Sequence, residues 1–111
     1  MSAQPSITPL GSIPGIPERV QQRLQQVFDT QDHLEAVWLF GSRAMGRHRE
    51  GSDIDLCLEG RELSHRDRLR LMVAIDELLL PWQVDVALRG EISQDLEAHL
   101  QRVGCCIWRR S

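Results

Sequence analysis

The stretch from Phe40 to Glu59 reads FGSRAMGRHREGSDIDLCLE, and its pattern decides the fold. A Gly41-Ser42 pair is followed, after ten residues, by Asp53-Ile54-Asp55. From Asp53 to Glu59 the residues alternate, with Ile54, Leu56 and Leu58 on one side and Asp53, Asp55 and Cys57 on the other. That period of two predicts a half-buried strand. Side chains at i and i+2 of a strand share a face, so Asp53 and Asp55 aim at one point. Two carboxylates so placed repel each other unless something neutralises them. Mg²⁺ takes carboxylate oxygens together with substrate phosphates in preference to an all-protein cage. A Gly-Ser turn that opens a helix offers backbone N–H groups to those phosphates. The combination points to a metal-assisted nucleotide site.

Outward from this stretch the same logic places the other elements. Leu34–Phe40 is apolar on both faces and reads as a central strand that ends at Gly41-Ser42. Ser42 is the expected N-cap of a short helix over Arg43–Met45. Upstream, Pro17 suits a first helical turn, and Ile16, Val20, Leu24, Val27 and Phe28 predict an amphipathic helix over Pro17–Asp29. Downstream, Ser64 with Asp67 forms a capping box with a shortened acid, and the apolar spacing carries that helix to Leu80, before Pro81. Gln83–Leu88 is a third strand, with Val84, Val86 and Leu88 opposite Asp85 and Ala87. Arg89-Gly90 turns the chain, Ser93 caps a last helix to Val103 with Gly104 as its C′ residue, and Cys105–Trp108 forms a short terminal strand.

At 111 residues the chain is expected to form one domain, residues 16–111, after a partly ordered lead-in over 1–15 that carries Pro5, Pro9 and Pro14. That length leaves room for one layer of helices on a sheet and not for a second substrate-binding domain. The net charge of −3 argues against a nucleic-acid binder driven by phosphate neutralisation. No run of apolar residues is long enough for a membrane span, and the N-terminus lacks the basic start and apolar core of a signal peptide. Three cysteines, two of them adjacent, make no disulfide framework, so a reducing cytoplasm is the expected compartment.

Taken singly, the site residues have ordinary readings. A lone Asp-x-Asp is usually a solvent-facing edge, and a lone Gly-Ser is usually a turn. The joint spacing arises by chance in about one chain in a thousand of this length. Asp85, on the polar face of the next strand, adds a third carboxylate beside the pair. Three converging acids suit two Mg²⁺ ions and in-line displacement at phosphorus. Arg43, Arg47, His48 and Arg49 form a basic cluster beside the acids, readable as triphosphate contact or as a solvated loop. His48 and His65 have no partner at metal-ligand spacing. Trp38 reads as core, Trp82 and Trp108 as packing or interface residues, and Cys105-Cys106 as buried and inert.

Phe40-Gly41-Ser42-Arg43-Ala44, then Gly46, then Ser52-Asp53-Ile54-Asp55-Leu56, with Val84-Asp85-Val86 further on, resembles the minimal nucleotidyltransferases of the DNA polymerase β superfamily. That group includes the antitoxins encoded beside HEPN-domain RNase toxins. The resemblance extends over about Pro17 to Trp108. It implies an α+β, polymerase β-like nucleotidyltransferase fold, a small mixed sheet backed by helices. It implies that Gly41 and Ser42 hold the β- and γ-phosphates of ATP, and that Asp53 and Asp55 bind two Mg²⁺ ions. Asp85 would bind the catalytic ion and help activate the acceptor hydroxyl. Where many relatives read Gly-Ser-Arg-Ala-Arg-Gly, this chain has Met45, which leaves Arg43 or Arg47 to make the phosphate contact. The implied activity is transfer of AMP to a tyrosine of a cognate HEPN toxin (AMPylation), in complex with it and without direct nucleic-acid contact. The alternatives are an antitoxin that neutralises its partner by contact alone, and a nucleotidyltransferase that modifies a small molecule.

Overall fold

The computed structural model describes residues 11–110. Four strands, β1 (Ala36–Phe40), β2 (Ile54–Glu59), β3 (Val84–Leu88) and β4 (Cys105–Arg109), form one sheet in the order β3-β2-β1-β4. The helices are α1 (Glu18–Asp29), α2 (Gly41–Ala44), α3 (His65–Asp76) and α4 (Gln94–Val103), with a 3₁₀ turn at Arg89–Glu91. β1 runs antiparallel to both of its neighbours, and β2 and β3 are parallel. A parallel pair needs a crossover, and α3 supplies it. The sheet is therefore mixed.

The alternation along each strand sorts the two faces. Val37, Leu39, Ile54, Leu56, Leu58, Val86 and Leu88 are buried and form the core with Val20, Leu24 and Phe28 of α1 and with Leu71 and Ile75 of α3. The opposite face of β1 and β2 carries Trp38, Phe40, Asp55 and Cys57, and α4 lies over it. Arg89 ties that side together, donating to Glu59 at 2.9 Å and Glu97 at 2.7 Å while its guanidinium lies 5.4 Å from the Trp38 ring. Trp38 in turn donates from Nε1 to Glu59 at 2.8 Å. At the sheet edge, Arg68 Nε donates to the Val86 carbonyl at 2.7 Å and so occupies part of the open side of β3.

Several sequence expectations shift in detail. β2 starts at Ile54, leaving Asp53 just ahead of the ladder. α2 begins at Gly41 with Phe40 as its cap residue, so Ser42 lies inside the helix and does not cap it. α3 stops at Asp76, short of Leu80, with Glu77 as its cap residue; a turn follows, and Leu79 takes a left-handed conformation (φ 54°) ahead of Pro81. Gly104 is not left-handed (φ −61°); a side chain there would instead strike the Leu100 carbonyl. The expected capping box is present, with Ser64 Oγ accepting from the Asp67 N–H and Asp67 accepting from the Ser64 N–H. Cys105 and Cys106 are half-buried, and the buried thiol is that of Cys57, which desolvation pushes up to about 11. Trp108 is core, edge-on to Phe28 and donating to Asp29 at 2.9 Å. Ile13, assigned from sequence to the lead-in, is buried in the core, and the Gly11 N–H donates to the Cys106 carbonyl; residues 1–10 of that lead-in lie outside the described residues.

Candidate active site

The end of β1, the start of β2 and the start of β3 meet at one end of the sheet. Antiparallel register sets Phe40 against Asp55, and parallel register sets Asp55 against Asp85. Asp55 thus sits at the centre, with the Gly41-Ser42 turn on one flank and Asp85 on the other. Asp55 is half-buried, while Asp53 and Asp85 are exposed. Burial raises the Asp55 pKa above its ordinary value, and the charges of Asp85 and Asp53, with Asp85 in hydrogen-bonding reach, raise it further; His99 acts in the opposite direction. Gln83 Nε2 donates to Asp85 Oδ1 at 3.2 Å and orients it.

The donors are all carboxylate oxygens and carry more negative charge than their surroundings offset, which is what a hard divalent cation fits. Asp55 and Asp85 are brought together as the sequence led us to expect. Asp53 is near enough to act on Asp55 through space, yet among the described residues no three acidic, His or Cys side chains are gathered into a group able to hold an ion.

Gly41 shows why the turn needs glycine. Its φ is 77°, and a Cβ added there would run into Asp55 Oδ2. Only a residue without a side chain lets the turn lie directly against the central carboxylate. The Gly41 N–H donates to His99 Nε2 at 3.2 Å, and His99 packs edge-on to Phe40. Ser42, half-buried, is the next residue, and its N–H belongs to a helical first turn, which has no intrahelical acceptor.

Arg43 requires a correction. Its side chain is 1% exposed, and its guanidinium donates to the carbonyls of Pro14 at 2.7 Å and Ser52 at 2.9 Å, with a longer contact to Glu50 at 3.4 Å. It is committed to bracing the loop that delivers Asp53, so it is not free to grip a phosphate. A buried guanidinium has to be satisfied in this way, and backbone carbonyls were invisible in the residue pattern. Arg47 and Arg49 are exposed. Sequence reasoning missed His99 and Gln83. Gln83 was legible in principle, since it stands two residues before Asp85 on the same strand face. His99 was not, because it reaches Gly41 across 58 positions of chain.

Residues 22–111 match the family described as polymerase beta, nucleotidyltransferase. A protein of Haemophilus influenzae described as a probable protein adenylyltransferase, MntA, is 38% identical over 68 residues, a match that spans 60% of this chain and 60% of the length of that relative. A crystal structure of a toxin–antitoxin with AMP-PNP superposes with a TM-score of 0.67 at 22% identity, covering 82% of this chain and 74% of that one. A rebuilt structure of a tri-AMPylated Shewanella oneidensis HEPN toxin in complex with MNT antitoxin gives 0.63 at 19% identity, covering 84% and 72%. At these identities the likeness to solved structures carries the fold.

Proposed function

The chain belongs to the polymerase β nucleotidyltransferase family, and from that premise we propose that it transfers AMP from ATP to a tyrosine hydroxyl of a HEPN-domain RNase toxin and so acts as the antitoxin. The observation that carries this reading is the opposition of Asp55 and Asp85 in register, with Gly41 packed against the Asp55 carboxylate. The adenylyltransferase relative and the AMPylated HEPN complex among the structural neighbours support the same reaction and partner.

In the proposed step the tyrosine oxygen bonds to the α-phosphorus of ATP. The bond from that phosphorus to the bridging oxygen breaks, and pyrophosphate leaves with the electron pair. The phenol proton passes to the Asp85 carboxylate, held at its other oxygen by Gln83, and then to water. Asp53, Asp55 and Asp85 would hold two Mg²⁺ ions, which supply charge neutralisation at the phosphates and a lowered pKa for the attacking hydroxyl. Ser42 would present its backbone N–H to the β- and γ-phosphates, and Gly41, whose N–H is taken by His99, would let them lie close because it has no side chain. Asp55, sitting between turn and acceptor side, aligns the two. The chain has no tyrosine of its own, so the acceptor belongs to another protein. A phenol, with a pKa of about 10, is within reach of such activation.

The test is to mix the chain with the HEPN protein, ATP and Mg²⁺. Added AMP mass on the partner and loss of its RNase activity are expected. Asp53→Asn should abolish both. Equal silencing by Asp53→Asn with no added mass would establish inhibition by contact, the second reading.

A further inference from the structure

Beside Asp85 the edge of the sheet opens into a groove of about 510 Å³, lined by Met72, Leu79, Leu80, Trp82, Val84 and Asp85 itself. The Trp82 ring lies half-buried in its wall, anchored by Nε1 donating to the Glu50 carbonyl at 3.1 Å. Leu79 stands at its rim, 87% exposed. Among the described residues Leu79 is the one non-glycine with positive φ, at 54°. It lies two residues past the Glu77 cap of α3, in the left-handed region where a side chain is strained and glycine or asparagine is the usual occupant. A leucine that accepts this strain and buries almost none of itself gains nothing inside its own fold. Val73 and Leu69 of α3 are also exposed, at 57% and 56%, outside the lining of the groove. Asp76 lies within the groove and Glu77 is exposed next to it, while Arg23 donates to the Leu78 carbonyl at 3.1 Å, so acids outnumber the one cation placed at this rim.

We propose that this groove is the docking surface for the acceptor-bearing segment of the partner protein, with Leu79 as its anchor. This rests on the transfer reading above, in which Asp85 takes the proton of the acceptor. Whatever segment carries that hydroxyl to Asp85 must lie over the groove that Asp85 closes. The chemistry of the surface states what the segment needs. It has an apolar side chain that covers Leu79 and the Trp82 ring near its acceptor tyrosine, and basic residues that face Asp76 and Glu77. The same acidic lining makes the groove a poor seat for a triphosphate, and puts the nucleotide on the Gly41 side of Asp55 and the acceptor on the Asp85 side.

Leu79→Gly separates surface from fold, because glycine relaxes the backbone while it deletes the side chain. The full-length variant should melt at or above the wild-type temperature. With the HEPN protein as probe, calorimetry without nucleotide should show binding weakened about tenfold or more. AMP transfer should fall by a matching factor, through KM for the partner and not kcat, and Leu79→Met should restore most of it. Affinity for AMP-PNP with Mg²⁺ should stay within about twofold of wild type. Unchanged partner binding by Leu79→Gly would overturn the docking surface, and so would a loss confined to AMP-PNP affinity, which would assign the groove to the nucleotide base. A wild-type chain that binds the HEPN protein but transfers no AMP would refute the transfer reading while the binding comparison still decides the surface. A wild-type chain that does not bind it removes the partner and this assignment together.

Discussion

At the scale of single residues, the proposed function and stability pull in opposite directions at Asp55. Its carboxyl pKa is raised above 3.8 by burial and by the neighbouring acids. A raised carboxyl binds its proton more tightly in the fold than in the unfolded chain. The contribution of this one group to stability is therefore greatest below about pH 3.8 and declines as pH climbs from there through its folded pKa. At neutral pH the ionised group is a standing liability. Asp55→Asn should raise Tm by a few degrees in metal-free buffer at pH 7 and abolish transfer. Mg²⁺ should raise the wild-type Tm and not that of the variant; calorimetric melting with and without EDTA reads both. A lower Tm for Asp55→Asn without metal would mean that the carboxylate is structurally required. Gly41 carries the opposite kind of demand. Gly41→Ala adds a Cβ where Asp55 Oδ2 already lies, in a backbone conformation that alanine resists. It should lower AMP-PNP affinity about tenfold or more, and Ser42→Ala should lower it less.

At the scale of elements, what could be read in advance divides by the range of the interaction. β2 was legible because its alternation is local, and the capping box of α3 because Ser64 and Asp67 stand in one turn. The end of α3 was not, since nothing in Glu77-Leu78-Leu79-Leu80 announces a left-handed leucine ahead of Pro81. The buried role of Arg43 was hidden for another reason: its acceptors are backbone carbonyls of Pro14, Glu50 and Ser52, which no residue pattern displays. Ser64 also shows how a local motif acquires a distant partner. Its hydrogen bonds hold the Asp67 carboxyl below the usual range, and His33, 34 positions away, adds to that with a contact of 3.1 Å. The Asp67 contribution is present above its ordinary pKa and is lost as pH falls through the lowered one. Asp67 in turn raises His33 above 6.5, so that part is present below 6.5 and fades as pH rises through the raised value. Ser64→Ala should destabilise the domain by about 1 kcal/mol, seen as a fall in Tm of about 4 °C.

At the scale of the whole molecule, the sheet order explains how so short a chain can present a two-sided site. With β2 between β1 and β3, Asp55 is flanked by the glycine turn on one strand and by Asp85 on the other. α1 and α3 fill the far face of the sheet, and α4, through His99, reaches the turn from the near face. In the proposed transfer, nucleotide and acceptor approach Asp55 from opposite sides, which lets the attacking and leaving oxygens line up across the phosphorus. The motif block made the carboxylates and the turn readable from sequence. The parallel pairing of β2 with β3, which sets Asp85 against Asp55, came only with the structure. The most direct test follows the phosphorus itself. The chain is incubated with the HEPN protein, Mg²⁺ and ATP labelled at either the α- or the γ-phosphate, and the partner is then isolated. Nucleotidyl transfer places the α-label on a partner tyrosine and leaves the γ-label in released pyrophosphate, and Asp85→Asn loses both outcomes. Transfer of the γ-label to the partner, or no label on it from either ATP, would contradict the assignment.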